Sequence, residues 1–271
     1  MTTIRLPKEV AYRLANFTHS VPMALFAENR KRLVTRLKKD NPGISDNGVI
    51  LLKGGTESTY GNGSGDVSYT FRQESHFHWA FGVREPDCYG AISLKDASAT
   101  LFVPEFPENY KIWFGKIKTR DEIREEYQVE ACDFENNLEK YLVDFKPETI
   151  YLLKGKNTDS GKVHQPFDHS CLTKESLQKV KIDENTLWNS LVECRVIKTE
   201  KELDVLRYAT KMSSDAHKHV MKNIRPGWYE FQAESEFCNY VYRFGGMRHV
   251  GYCCIAATQE NAAVLHYVSY N

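Results

Sequence analysis

Four groups of side chains in this sequence have types and spacing that could do chemistry. In Glu74-Ser75-His76-Phe77-His78-Trp79 a carboxylate and two imidazoles fall at every second position. On a β-strand that spacing puts Glu74, His76 and His78 on one face and Phe77, Trp79 and Phe81 on the other. Such a face could ligate zinc. The same pattern also describes a polar strand face above a hydrophobic one, with no metal. His217 and His219 form a second pair, in a predicted helix, where two residues turn about 200°. They point apart and cannot share one ion.

Cys253, Cys254 and His266 supply the atoms of a thiol hydrolase. Nothing fixes either thiol at a helix N-terminus or beside a third orienting group, and buried free cysteines on a core strand are the common case. The loop Gly54–Asp66 is rich in glycine, but it lacks the GK[ST] ending of a P-loop. Gly61, Gly63 and Gly65 do not make GxGxxG, so it reads as a flexible connection. His266 stands on a predicted final strand, Ala262–Val268, where it shares a face with Val264 while Leu265 and Tyr267 point the other way. Spacing alone does not decide between a core histidine and a site histidine.

The elements that must position these groups read as α/β. Leu25, Phe26, Leu33, Val34 and Leu37 recur at helical spacing. Buried strands are expected at Val49–Gly55 and Thr149–Gly155, and further strands at His76–Gly82, Tyr89–Leu94 and Ala99–Pro104. Helical segments fall around Glu108–Phe114 and Phe134–Phe145. Alternation of this kind predicts helices layered on a mixed sheet. Thr199 and Glu202 have capping-box spacing, so a long helix should begin after Thr199 and end before Pro226-Gly227. A second helix should open with Glu230 and Glu234 near its positive end and stop at Gly245-Gly246. Two strands, Tyr252–Ala257 and the one holding His266, are expected after it.

Composition narrows the functional classes. Of 271 residues 41% are hydrophobic, and the 36 basic and 36 acidic residues cancel. No net field therefore favours nucleic acid or an acidic membrane. No apolar run approaches the roughly 18 residues that a membrane span needs. The N-terminus has no secretory h-region. Seven cysteines without a CxxC pair suit a reducing compartment, so the expectation is a cytoplasmic protein.

Several long strings carry a family resemblance: FRQESHFHWAFGVREPDCYGAI, NTDSG, ECRVIKTEKELDVLRYATKMSSDAHKHVMK and GGMRHVGYCCIAATQENAAVLHY. They are similar to the N-terminal half of eukaryotic prolidase, the Xaa-Pro dipeptidase of the creatinase and aminopeptidase P group. The resemblance implies a creatinase-type N-terminal domain with a mixed sheet over residues 1–190. Residues 191–271 would then be an incomplete start of a pita-bread α/β catalytic domain. It also implies a dipeptidase that cleaves before C-terminal proline with two metal ions, typically Mn(II), and an assembly as a dimer. By resemblance Tyr252 and His266 line the substrate pocket, and Trp113 reaches over the active site of the other subunit. The family's five metal ligands, two Asp, one His and two Glu, belong to segments that these 271 residues do not match. The expectations are therefore a truncated form, inactive alone, or alternatively a non-catalytic partner of a full-length prolidase subunit.

Overall fold

The computed structural model describes residues 10–61, 67–167, 172, 177 and 180–268. Gly63 and Gly65 of the glycine-rich loop lie outside the described residues, as do the terminal Ser269-Tyr270-Asn271. Along the chain run β1 (Ala11–Tyr12), β2 (Val21–Pro22), α1 (Ala24–Asp40), β3 (Gly48–Lys53), α2 (Ser75–Phe81), β4 (Tyr89–Ser93) and β5 (Ala99–Val103). Then come α3 (Lys111–Phe114), α4 (Arg120–Tyr127), β6 (Ala131–Phe134), α5 (Leu138–Phe145), β7 (Thr149–Leu152), β8 (Gly155–Lys156) and β9 (Val163–His164). The last elements are β10 (Lys181–Asp183), α6 (Leu187–Val196), α7 (Glu200–Asn223) and α8 (Glu230–Gly245). They form two compact units, one built around Met23–Ile197 and the other from Ala11–Pro22 with Lys198 onward. None of the described helices is long and apolar enough to cross a membrane.

The first unit is built on a mixed six-stranded sheet in the order β10-β7-β3-β4-β5-β6. β10, β7 and β3 run parallel, β4 is antiparallel to both its neighbours, and β6 is parallel to β5. Register fixes which side chains share a face. Leu51 sits opposite Ala91 and Leu152, and this face packs on Leu138 and Leu142 of α5. On the other face Gly90 lies opposite Leu52 and Leu101. The ring of Phe81 rests there so closely that a Cβ on Gly90 would fall 2.3 Å from it. The α1 stripe behaves as its spacing predicts, with Leu25, Phe26, Leu33, Val34 and Leu37 all buried. Arg30 is buried with them, because its guanidinium donates to the carbonyls of Ala80 at 3.1 Å and Gln128 at 3.3 Å. Burial pulls its pKa down to about 10.

The segment read as a strand at His76–Gly82 is a helix, α2. Three local facts select it. The Glu74 carboxylate accepts the Phe77 amide at 2.7 Å and caps the first turn. Phe77 and Phe81, four residues apart, are both buried with ring centroids 5.0 Å apart. Gly82 ends the helix in the left-handed region at φ 69°.

In the second unit α7 and α8 pack together, and β1 pairs with β2. The capping box forms as the spacing predicts: Thr199 Oγ1 accepts the Glu202 amide at 3.2 Å, and Glu202 accepts the Thr199 amide at 2.7 Å. α8 stops where expected, with Gly246 left-handed at φ 68°. The two strands expected after it are not formed. The regular element found there is a 3-10 turn over Gln259–Ala263. A strand exists only with a neighbour to accept its ladder of hydrogen bonds. This segment is held by side chains instead.

Candidate functional site

The anchor of that segment is Glu230, the first residue of α8. Its Oε1 accepts the Thr258 amide at 2.7 Å, the Thr258 hydroxyl at 3.0 Å and the Asn261 amide group at 3.1 Å. Its Oε2 accepts the Tyr267 hydroxyl at 2.7 Å. Hydrogen bonds from Tyr267, then from Asn261 and Thr258, bring the carboxyl down from 4.5 to about 2. A carboxylate engaged by four hydrogen bonds and held this far down is an anchor, poorly suited to acid–base work near neutral pH. Tyr267 is buried by this network, whereas its neighbours Leu265 and His266 are exposed.

Within the same unit a cavity of about 720 Å³ opens between α7, α8 and residues 247–258. His217, Phe237, Met247, His249 and Tyr252 contribute to its wall. Of the residues that the resemblance implies for a substrate pocket, Tyr252 lies on the wall of this cavity and is itself 81% exposed. His266 does not line it. Sequence reasoning missed Glu230 as an anchor. The signal was a carboxylate at a helix start with Thr258 and Asn261 downstream, a pattern visible only once the segment folds back.

The thiol and histidine candidates separate. Cys253 is exposed, while Cys254 turns inward to place its Sγ 3.7 Å from that of Cys238. Burial, then Cys238, push the Cys254 thiol up to about 12, the wrong direction for a nucleophilic thiolate. Glu234, Cys238 and Cys254 bring one donor atom each to within 4.8 Å of one another. His217 and His219 take separate partners, although both rings meet α8, His217 at Phe237 and His219 at Tyr240. His217 Nδ1 lies 2.8 Å from the Ser213 carbonyl oxygen, and His219 Nε2 lies 2.7 Å from Glu236 Oε2.

In the first unit the expected Glu74, His76 and His78 face does not form, because Glu74 caps α2 and on the helix His76 and His78, two residues apart, are turned about 200° from one another. His78 is exposed and meets Phe26 edge to face at 5.9 Å. Glu74 and His76 stay together, with Nδ1 2.9 Å from Oε1. Their third neighbour is His164 on β9, whose Nε2 lies 3.2 Å from the same oxygen. Burial raises the Glu74 carboxyl. Hydrogen bonds from His76 and from the amides of His76 and Phe77 outweigh it and bring the group down to about 2. Gln73 sets the position of Glu74 by accepting the amides of Gly55 at 2.6 Å and Glu74 at 2.9 Å.

Trp113 lies on α3 and is 69% exposed. Its ring meets that of Tyr110 at 5.7 Å, and Tyr110 packs in turn on Phe106 and Phe114, so the four form an exposed aromatic cluster.

Comparison with known proteins places this architecture. Residues 26–151 match the profile of the aminopeptidase P N-terminal domain, and residues 204–271 match metallopeptidase family M24. The Xaa-Pro dipeptidase of Homo sapiens is 43% identical over 257 residues, which is 95% of this chain and 50% of that protein. The enzyme of Rattus norvegicus is equally similar, at 43% over 257 residues. A probable Xaa-Pro aminopeptidase of Paracoccidioides lutzii is 28% identical over 249 residues. The chain thus spans about half the length of the curated relatives it matches. Among solved structures, a variant of Escherichia coli aminopeptidase P superposes with a TM-score of 0.72 at 23% identity, covering 91% of this chain and 55% of the other. A zinc-substituted form of the E. coli enzyme in complex with product gives 0.71 at 22% identity, with the same coverage. The chain belongs to the Xaa-Pro dipeptidase family, matching its N-terminal half: an aminopeptidase P N-terminal domain followed by part of an M24 metallopeptidase domain.

Proposed function

We propose that this chain supplies the N-terminal domain and the first part of the peptidase pocket of an Xaa-Pro dipeptidase, and that these 271 residues do not hydrolyse dipeptides by themselves. The donor set of the second unit carries this reading. The resemblance implies two Mn(II) ions held by carboxylates and an imidazole, and such hard oxygen donors suit manganese. The residues present do not fit that centre. The metal-capable group among the described residues of this unit is Glu234 with two thiols, and Glu230 is taken up by four hydrogen bonds. Where the nucleophile is a metal-bound hydroxide, a chain without that centre has no nucleophile. In the assembled pocket, Tyr252 and His266 contact a dipeptide ending in proline, and the compartment is the cytoplasm. Hydrolysis of Gly-Pro by the purified chain with added manganese tests the reading, and metal-dependent turnover would refute it.

The exposed cluster around Trp113 favours a second reading, that the chain pairs with a second copy or with a full-length Xaa-Pro dipeptidase subunit. Four aromatic rings gathered on one exposed turn are the kind of anchor that interfaces use. Co-expression with a full-length subunit followed by size separation is the check. Persistent failure to find a mixed species sinks this reading.

A further inference from the structure

In the first unit, two neighbouring donors, Glu74 and His76, meet a third, His164, from far along the chain. Glu74 Oε1 lies 2.9 Å from His76 Nδ1 and 3.2 Å from His164 Nε2, and all three atoms fall within 4.8 Å of one another. Tetrahedral ligands on an ion at about 2.0–2.1 Å stand about 3.3–3.5 Å apart, so small adjustments convert this arrangement into a ligand set. The side chains of Glu74 and His76 are each only 10% exposed. His164 Nε2 is buried and makes no hydrogen bond, although the carboxylate oxygen is 3.2 Å away. An orphaned buried ring nitrogen beside a carboxylate needs a partner, and an unfilled cation position supplies one.

The surroundings hold the donors rigidly. Glu74 Oε2 is already taken by the Phe77 amide at 2.7 Å, which leaves Oε1 for the ion. The Trp188 ring stands 5.4 Å from the His76 ring and 6.1 Å from the His164 ring, walling one side. Gly155 pairs with His164 across β8 and β9 and lies so near Trp188 that a Cβ there would fall 1.8 Å from the indole. Only glycine lets this hairpin bring His164 against the tryptophan.

We propose that Glu74, His76 and His164 bind one divalent ion of the zinc class, with a fourth position left to water. Zinc is chosen because two imidazoles and one carboxylate are its common ligands and the set is too poor in oxygen for calcium or magnesium. His76 ligates through Nδ1 and His164 through Nε2, each carrying its proton on the other ring nitrogen.

The test is zinc titration of the metal-stripped full chain against a chromophoric chelator, with melting temperature followed in parallel. The expected result is one zinc per chain that raises the melting temperature. His164→Gln leaves the helix cap intact and should weaken binding at least about tenfold. A Cys238→Ser, Cys254→Ser double variant should bind as the parent does. Should His164→Gln fail to fold, X-ray absorption on the zinc-loaded parent decides: a shell of nitrogen and oxygen is expected. Absence of stoichiometric binding, unchanged affinity in His164→Gln, or sulfur in the shell overturns the proposal.

Discussion

Tyr267 donates its hydroxyl to Glu230 Oε2 at 2.7 Å, and this contact ties the segment beyond residue 258 to the first turn of α8. The anchor depends on a charged carboxylate. Glu230 is held below its ordinary 4.5, down to about 2, so its stabilising contribution is complete above pH 4.5 and is lost as pH falls toward 2. The Thr258 amide, which donates to the same carboxylate, should therefore report a transition near the lower value in an NMR titration. Glu230→Gln should remove it, and Tyr267→Phe should move it upward. A midpoint near 4.5 in the parent would mean that the network does not form.

The capping box of α7 offers a cleaner energetic test. Thr199 accepts one orphan amide and Glu202 another. Thr199→Ala should cost about 0.5–2 kcal/mol in the denaturant unfolding of the second unit, with the slope unchanged. Thr199→Asp should restore most of the loss.

Contact between helix and sheet in the first unit turns on the missing side chain of Gly90. Its Cβ would lie 2.3 Å from the Phe81 ring, which is itself fixed against Phe77. Gly90→Ala should destabilise by about 1–3 kcal/mol through overpacking, read as a lower melting temperature. Gly43→Ala provides a contrast, since nothing lies near its Cβ position and only its φ of 94° opposes the change.

Trp113→Ala should leave thermal stability within about 0.5 kcal/mol of the parent, because the side chain is largely exposed. Its effect should fall on self-association or on pairing with a full-length subunit, measured by analytical ultracentrifugation. Unfolding without any change in association would assign the cluster to the core of this chain.

How far the sequence could be read depended on the range of the interaction. The start of α7 was legible because Thr199 and Glu202 settle it within four residues. The sheet strands were legible because runs such as Val49–Leu52 are apolar on both faces and needed no knowledge of a partner. α2 was misread because seven residues satisfy both a period of two and the Phe77, Phe81 spacing of a helix, and the Glu74 cap decided between them. The segment holding His266 was misread for another reason. Strand periodicity was present, but alternation does not reveal whether a neighbouring strand exists, and Glu230 held the segment in a different way. The meeting of His164 with Glu74 and His76 left no trace in spacing at all, since a hairpin and Trp188 bring it there.

The most direct measurement is the steady-state hydrolysis of Gly-Pro by the purified 271-residue chain, cleared of host peptidase and assayed with and without manganese. The account predicts no release of proline above the buffer rate in either condition, because the donors of the second unit do not build the manganese centre. Turnover that follows the chain through purification and stops on chelation would contradict it.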